Sequence, residues 1–434
     1  MSAPAGGAGH EWSRTDVVII DERRPRGGDR GLFWFLLILS LPYVVGSLNI
    51  DGFVALLPLV RDEFALSRTQ VGLYTTFFFS GAALLAIFAG RLVDRLGSRR
   101  GLVAGLFVLG ASVLLYGLAP TYVVLLAFAT LAGLGISIIT PSINAGVLGR
   151  VPRGKRATFL GIMQSGIGVG GVAGASLLPA LAVNVGWRSA VGMTGVATLL
   201  LAVVILVAYR EGSDVKAAPS ADGSLRDDLG ALLRNPGLLR TCCLGTLYGS
   251  LGSSAVFHYT VFLSEDIGVT VAFAGLGLAA LHVGGMVGRP FWGWISDNAF
   301  GGDRPRTLLT LGLVIAGLFL VAGIAPYKVV FPLPLTFTLS ILLGLSAFSW
   351  IPVYFISVGE MAEAGREGTA TGLAMVFNRI GTVMAPPLFG LMADLTGSYQ
   401  VGWLALGALA LLVAPLLYRR PGRVQEGDVD SSGQ

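Results

Sequence analysis

Apolar runs of about 20 residues recur almost from end to end of this 434-residue chain. At 1.5 Å of rise per residue, each run is long enough to cross the hydrocarbon core of a bilayer as a helix. The composition agrees, because 13% charged residues is half the share of roughly 25% found in soluble domains. A net charge of +5 could suggest nucleic acid, but the basic residues sit in short loops between apolar runs, so no nucleic-acid partner is expected. Cys242 and Cys243 are adjacent in an apolar segment and form neither a disulfide framework nor a metal-site spacing. No nucleophile constellation, metal cluster or phosphate loop is present, so the chain does not read as an enzyme and calls for no metal or cofactor.

The runs place twelve spanning helices near 32–60, 70–92, 101–119, 121–147, 156–184, 187–209, 239–264, 271–297, 307–325, 331–358, 367–393 and 399–418. The expected class is therefore an all-α membrane protein of two six-helix halves, residues 32–209 and 239–418. A polar linker (210–238) separates them, and polar tails (1–31 and 419–434) flank them. The first tail holds five arginines and no apolar core, which argues against a cleavable signal peptide. Only Arg61, Arg68, Arg188 and Lys328 fall on the side opposite the other loop and tail cations. By the positive-inside rule both termini are cytoplasmic, in a multi-pass protein of the plasma membrane (the cell's inner membrane). Membrane lipid is its surroundings, and a monomer suffices for this architecture.

Between the second and third runs lies Gly90-Arg91-Leu92-Val93-Asp94-Arg95-Leu96-Gly97-Ser98-Arg99-Arg100, read as a hairpin at a membrane face. Half a chain later Gly293-Trp294-Ile295-Ser296-Asp297 returns between two further runs, followed by Arg304 and Arg306. The same offset separates Gly90 from Gly293 and Asp94 from Asp297, so the halves are related repeats. Asp94 can pair with Arg95, Arg99 and Arg100, or with the positive N-terminus of a neighbouring helix such as the eleventh. Together these features make the chain resemble the major facilitator superfamily over residues 32–418. The resemblance implies a binding site at the midplane between the halves and alternating access by rocking, with Gly90, Asp94, Arg95, Arg99, Arg100, Gly293 and Asp297 as gating residues. Asn298 stands where the superfamily's pattern usually has a basic residue, and Gly301-Gly302-Asp303 loosens the loop, which weakens charge locking on the C-terminal half.

Gly166, Gly168, Gly170, Gly171 and Gly174 superficially match a dinucleotide fingerprint, but no strand precedes them and a membrane span surrounds them. Gly166, Gly170 and Gly174 share one helix face, which suits close helix packing. Ionisable residues inside spans are costly and therefore functional candidates. Asp51 is the one carboxylate clearly within a span, against Arg289 on helix 8 and Arg379 on helix 11. Two guanidiniums facing one acid leave positive charge over, and an anionic substrate gripped by a bidentate fork neutralises it most simply.

Asp51 shares a face with Ser47 and Tyr43, and it is read as a proton-coupling candidate with His258; a fixed counter-ion is the alternative for Asp51. His282, which shares a face with Gly285 and Arg289, joins Asn378, Tyr259, Tyr354 and Gln164 as candidate substrate contacts. A basic residue on each of helices 8 and 11 resembles the oxalate/formate antiporter family, and Gly288-Arg289-Pro290 is similar to helix 8 of the monocarboxylate transporters. Gly285 replaces the acid that the latter carry one turn earlier, and Ala86 replaces the helix 2 arginine expected of a nitrate porter. The expected activity is secondary transport of a small organic anion, a mono- or dicarboxylate, coupled to protons or to a counter-transported anion. A proton-coupled exporter of drug-like molecules is the alternative, although helix 4 lacks the arginine and helix 5 the Gly-Pro pair common in such exporters.

Overall fold

The computed structural model describes residues 29–150, 156–209, 225–324, 333–362 and 367–418, and among these there is helix but no strand. The expected tails at 1–28 and 419–434 lie outside the described residues. One half comprises α1 (Asp29–Phe64), α2 (Arg68–Tyr116), α3 (Tyr122–Arg150), α4 (Arg156–Val185) and α5 (Trp187–Ala208). After α6 (Leu225–Arg234) the other half comprises α7 (Pro236–Glu265), α8 (Val271–Trp294), α9 (Arg304–Ile324), α10 (Leu333–Ala347), α11 (Trp350–Met361), α12 (Glu367–Thr396) and α13 (Gln400–Leu417). Among the described residues nine segments are long and apolar enough to span a membrane by composition alone. The first part of α2, α7 and α12 are also long but more polar, and these three meet where the halves join. With α10 and α11 as one span and α2 as two, twelve crossings result.

Three expectations need correction. The hairpin has no loop: helix runs through Asp94 to Leu96, turns on Gly97 and resumes at once. Gly97 has φ 81° and ψ 165°, a region essentially closed to residues with a Cβ, so one glycine does the work of the expected turn. The tenth expected helix is broken at Phe348-Ser349, because Pro352 has no N–H for the carbonyl of Phe348. The linker is partly helical. It carries α6, and Asn235 then starts α7 by accepting hydrogen bonds from the N–H groups of Gly237 (3.0 Å) and Leu238 (3.1 Å).

The glycine face of α4 packs as its spacing implies. A Cβ on Gly170 would sit 2.0 Å from the Val44 carbonyl oxygen and one on Gly174 2.6 Å from that of Leu48, so α1 and α4 touch backbone to backbone.

A charged network fastens the two halves at the end of the bundle that carries the α1–α2 turn. The Asp394 carboxylate near the end of α12 accepts from the backbone N–H groups of Arg68 (2.7 Å) and Thr69 (2.8 Å) and from the Thr69 hydroxyl (2.5 Å). An acid of one half thereby caps the positive N-terminus of a helix in the other. Arg68 donates to Glu265 (2.9 Å) and to the Ala393 carbonyl (2.8 Å), and its guanidinium lies 5.1 Å from the centre of the Tyr399 ring. Arg61 pairs with Glu265 as well, and Asp266 accepts from Ser398 (2.9 Å) and the Tyr399 N–H (2.7 Å). Asp394 is exposed, whereas Arg61, Arg68, Glu265 and Asp266 are partly buried, so solvent screens those four less than an ordinary surface pair.

Replacing Asp394 by Asn removes the charge from this cap and should favour separation of the halves at this end by about 1 kcal/mol. Spin labels at Asp62 and Thr396, with Cys242 and Cys243 changed to Ser, should then report a larger long-distance population than in the parent. An unchanged distance distribution would mean that the network does not hold the halves together.

Candidate functional site

Between the halves lies a cavity of about 330 Å³, within the usual range for a small-molecule site. Its walls come from α1, α2, α3 and α4 on one side and from α7, α8, α11, α12 and the α10–α11 break on the other. Most of the wall is apolar, and Phe79, Phe257, Phe348, Trp350 and Tyr248 supply aromatic surface.

One face of α1 delivers Tyr43, Ser47 and Asp51 to this cavity, as their spacing of four requires. The Ser47 hydroxyl donates to Asp51 at 2.5 Å. The other Asp51 oxygen is 3.4 Å from Nε2 of His282, so a carboxylate of one half faces an imidazole of the other. The His282 ring stacks on Phe348 with centres 5.8 Å apart and planes 13° apart. Gly171 of α4 makes room for this pair: a Cβ there would lie 2.8 Å from Nδ1 of His282 and 3.0 Å from Asp51.

His282, Gly285 and Arg289 occupy one face of α8 and all three line the cavity. Nε of Arg289 is buried without an acceptor, and its guanidinium makes no ion pair or hydrogen bond to a described residue. Arg379 on α12 is exposed, and its guanidinium carbon lies 4.8 Å from the centre of the Phe79 ring on the cavity wall. It too has no hydrogen bond or ion pair among the described residues. Asn378 and Thr382, one residue before it and three after, line the cavity, and Asn378 also donates to the Gly245 carbonyl at 3.2 Å. Gln164 lies beside the hydroxyl of Tyr43.

The expected arrangement of two arginines around one acid is not what forms. Asp51 turns to His282, and neither guanidinium makes an ion pair among the described residues, although the Asp51 charge still acts on Arg289. Five candidates are not part of the cavity lining: Arg379 and Gln164, which are exposed, and Tyr259, Tyr354 and His258, each occupied in the protein core. The Tyr259 hydroxyl bonds Ser340 (2.7 Å), and that of Tyr354 donates to the Ala374 carbonyl (3.1 Å). His258 donates from Nε2 to the Pro386 carbonyl (2.8 Å), while Nδ1 faces the Tyr399 hydroxyl (3.3 Å).

Among the expected gating residues, Arg99 donates to the Leu206 carbonyl near the end of α5, whereas Arg95 and Arg100 are exposed. Gly90 and the side chain of Asp94 lie outside the described residues. Asp297, four residues after Gly293, pairs with Arg304, which also reaches Ser296 (2.8 Å) and Glu360 (3.4 Å), all within one half. Phe79, Phe348 and Thr382 were not legible as site residues, because in an apolar sequence nothing distinguishes a lining aromatic or hydroxyl from a packed one.

Two helical halves that clasp a cavity between them have the architecture of a multi-pass membrane transporter. The chain belongs to the Major Facilitator Superfamily, whose sequence profile matches residues 39–327 and 243–433. It is 28% identical over 373 residues to a gentisate transporter of Corynebacterium glutamicum, covering 82% of this chain and 80% of that protein. It is 27% identical over 385 residues to a fosmidomycin resistance protein of Escherichia coli, covering 85% and 88% respectively. The fold is similar to the crystal structure of a bacterial homologue of the human lysosomal transporter Spinster in an inward-facing, unoccupied conformation. There the TM-score is 0.76 at 18% identity, over 90% of this chain and 96% of the other.

Gly171→Leu drives a side chain against Asp51 and His282, where even a Cβ would lie 2.8–3.0 Å from them, and should destabilise the protein by about 2 kcal/mol, the usual cost of overpacking a filled site. Gly192→Leu, where the nearest atom to a new Cβ is 3.7 Å away, should leave the melting temperature of the purified protein near that of the parent. Equal melting temperatures for the two variants would show that the pair does not depend on Gly171.

Proposed function

We propose that this protein carries a small organic anion, a mono- or dicarboxylate, across the plasma membrane by alternating access, with both termini in the cytoplasm. The observation that carries this reading is the pair of guanidiniums, Arg289 and Arg379, without a protein acceptor among the described residues. An arginine at bilayer depth costs about 3 kcal/mol even with relief from its surroundings, and it does not deprotonate. A carboxylate supplies the missing charge and matches the planar fork of N–H donors. The aromatic wall favours a carboxylate that also carries a ring, and the likeness to a gentisate transporter supports the same class.

Coupling follows from the Asp51–His282 contact. It joins α1 to α8, faces the same cavity as Arg289, and holds the carboxylate that, among the described residues, can compete with a substrate for that arginine. Protonation of Asp51 removes both its hold on His282 and its attraction for Arg289, so a proton and an anion enter together. In this reading the network of Arg61, Arg68, Glu265, Asp266 and Asp394 closes the extracellular side.

Binding of benzoate, gentisate and succinate to the purified protein, read as a rise in melting temperature, tests the proposal. Arg289→Gln and Arg379→Gln should each weaken the best ligand roughly 10- to 100-fold, the loss expected for hydrogen bonds to a charged group. Stabilisation by neutral or cationic drug-like compounds alone would instead favour the exporter reading.

A further inference from the structure

We propose that Phe79 is a positioning residue for Arg379: its ring face holds the guanidinium against the cavity wall and leaves the N–H edge free for the substrate's anionic group. The proposal rests on the anion reading of the cavity given above. Arg379 belongs to α12 and Phe79 to α2, so the contact spans the two halves. At 4.8 Å from guanidinium carbon to ring centre, the cation lies within the range in which a ring's quadrupole attracts it. A face-on ring gives the guanidinium no acceptor and takes none of its five donors.

The ring is itself fixed. Phe257 of α7 meets it edge to face at 6.0 Å and 88°, and Phe78 does so at 5.3 Å and 82°. Phe257 also lines the cavity, so the two rings flank the space a ligand would occupy. A long flexible side chain loses much of its rotamer freedom on binding, and a fixed ring imposes that loss before the ligand arrives. Arg379 is thereby presented without a carboxylate partner that the substrate would have to displace. Arg289 differs. Its Nε is enclosed without an acceptor, and the Asp51–His282 pair lies on the same stretch of wall. The two arginines are therefore presented in different ways, one by enclosure and one by an aromatic rest.

The experiment is a double-mutant cycle on Kd for benzoate, gentisate and succinate, using Phe79→Leu, Arg379→Gln and the combination. Phe79→Leu keeps an apolar side chain and removes the ring, and should raise Kd about tenfold in the parent. In the Arg379→Gln background the same change should alter Kd by less than about twofold. Phe79→Tyr and Phe79→Trp keep a π face and should bind within about threefold of the parent. Phe79→Met serves the same purpose if the leucine variant does not fold, as judged by its melting temperature without ligand.

An equal loss in both backgrounds would overturn the proposal, since the ring would then act only by packing. No loss in the parent, or no rescue by Tyr and Trp, would overturn it too. If the parent binds none of the three carboxylates, it is the anion reading that fails, and the cycle is never reached.

Discussion

A guanidinium inside a membrane bundle stays charged at any accessible pH, so its field must be answered by an acid, an aromatic face, water or a ligand. The two internal arginines of this chain receive very little of this from the protein. Asp51, the acid whose charge reaches Arg289, is engaged by Ser47 and faces His282, and Glu265, Asp266, Asp297 and Asp394 lie toward the ends of the helices. The result is a largely apolar cavity with an uncompensated positive wall. Under the proposed reading that imbalance is tolerable, because an anionic cargo would restore neutrality while it is bound. An interior with paired arginines would be more stable when empty and would give an anion less reason to enter.

The distribution of contacts between the halves complements this. Strong inter-half interactions run from the Asp394 cap and the Arg61, Arg68, Glu265 cluster inward to the Asp51–His282 pair and the Arg379–Phe79 contact. Between them, Thr76 donates to the Val383 carbonyl (2.7 Å) and Thr260 to the Val54 carbonyl (2.9 Å). Helix backbones approach closely on the same stretch, where a Cβ at Gly72 would meet Pro386 at 2.6 Å. This is a seam of polar and charged contacts whose inner edge is the site itself.

Most of the architecture was legible in the sequence because bilayer thickness sets helix length and the chain has few charges inside its spans. What escaped has local causes. Gly97 makes a turn from a single residue, Pro352 breaks a span through a missing N–H, and α6 is a short amphipathic helix in a stretch read only for its polarity. The polar lining of the cavity was legible in part: Asp51, His282, Arg289 and Asn378 all reach it, and Arg379 reaches its wall through Phe79. His258, Tyr259 and Tyr354 did not follow, since a buried polar side chain finds a backbone carbonyl or hydroxyl as readily as a cavity. Glu265, Asp266 and Asp394 looked like ordinary helix ends. Only the three-dimensional arrangement sets them against Arg61 and Arg68.

The account stands on charge, so the most direct measurement changes the charge of the ligand alone. Calorimetric titration of each carboxylate that stabilises the protein, paired with its primary amide of nearly the same shape, isolates that variable. The account predicts that the amide binds at least tenfold more weakly than the acid, and that this gap closes when Arg289 and Arg379 are both Gln. Equal affinity for acid and amide in the parent protein would contradict it.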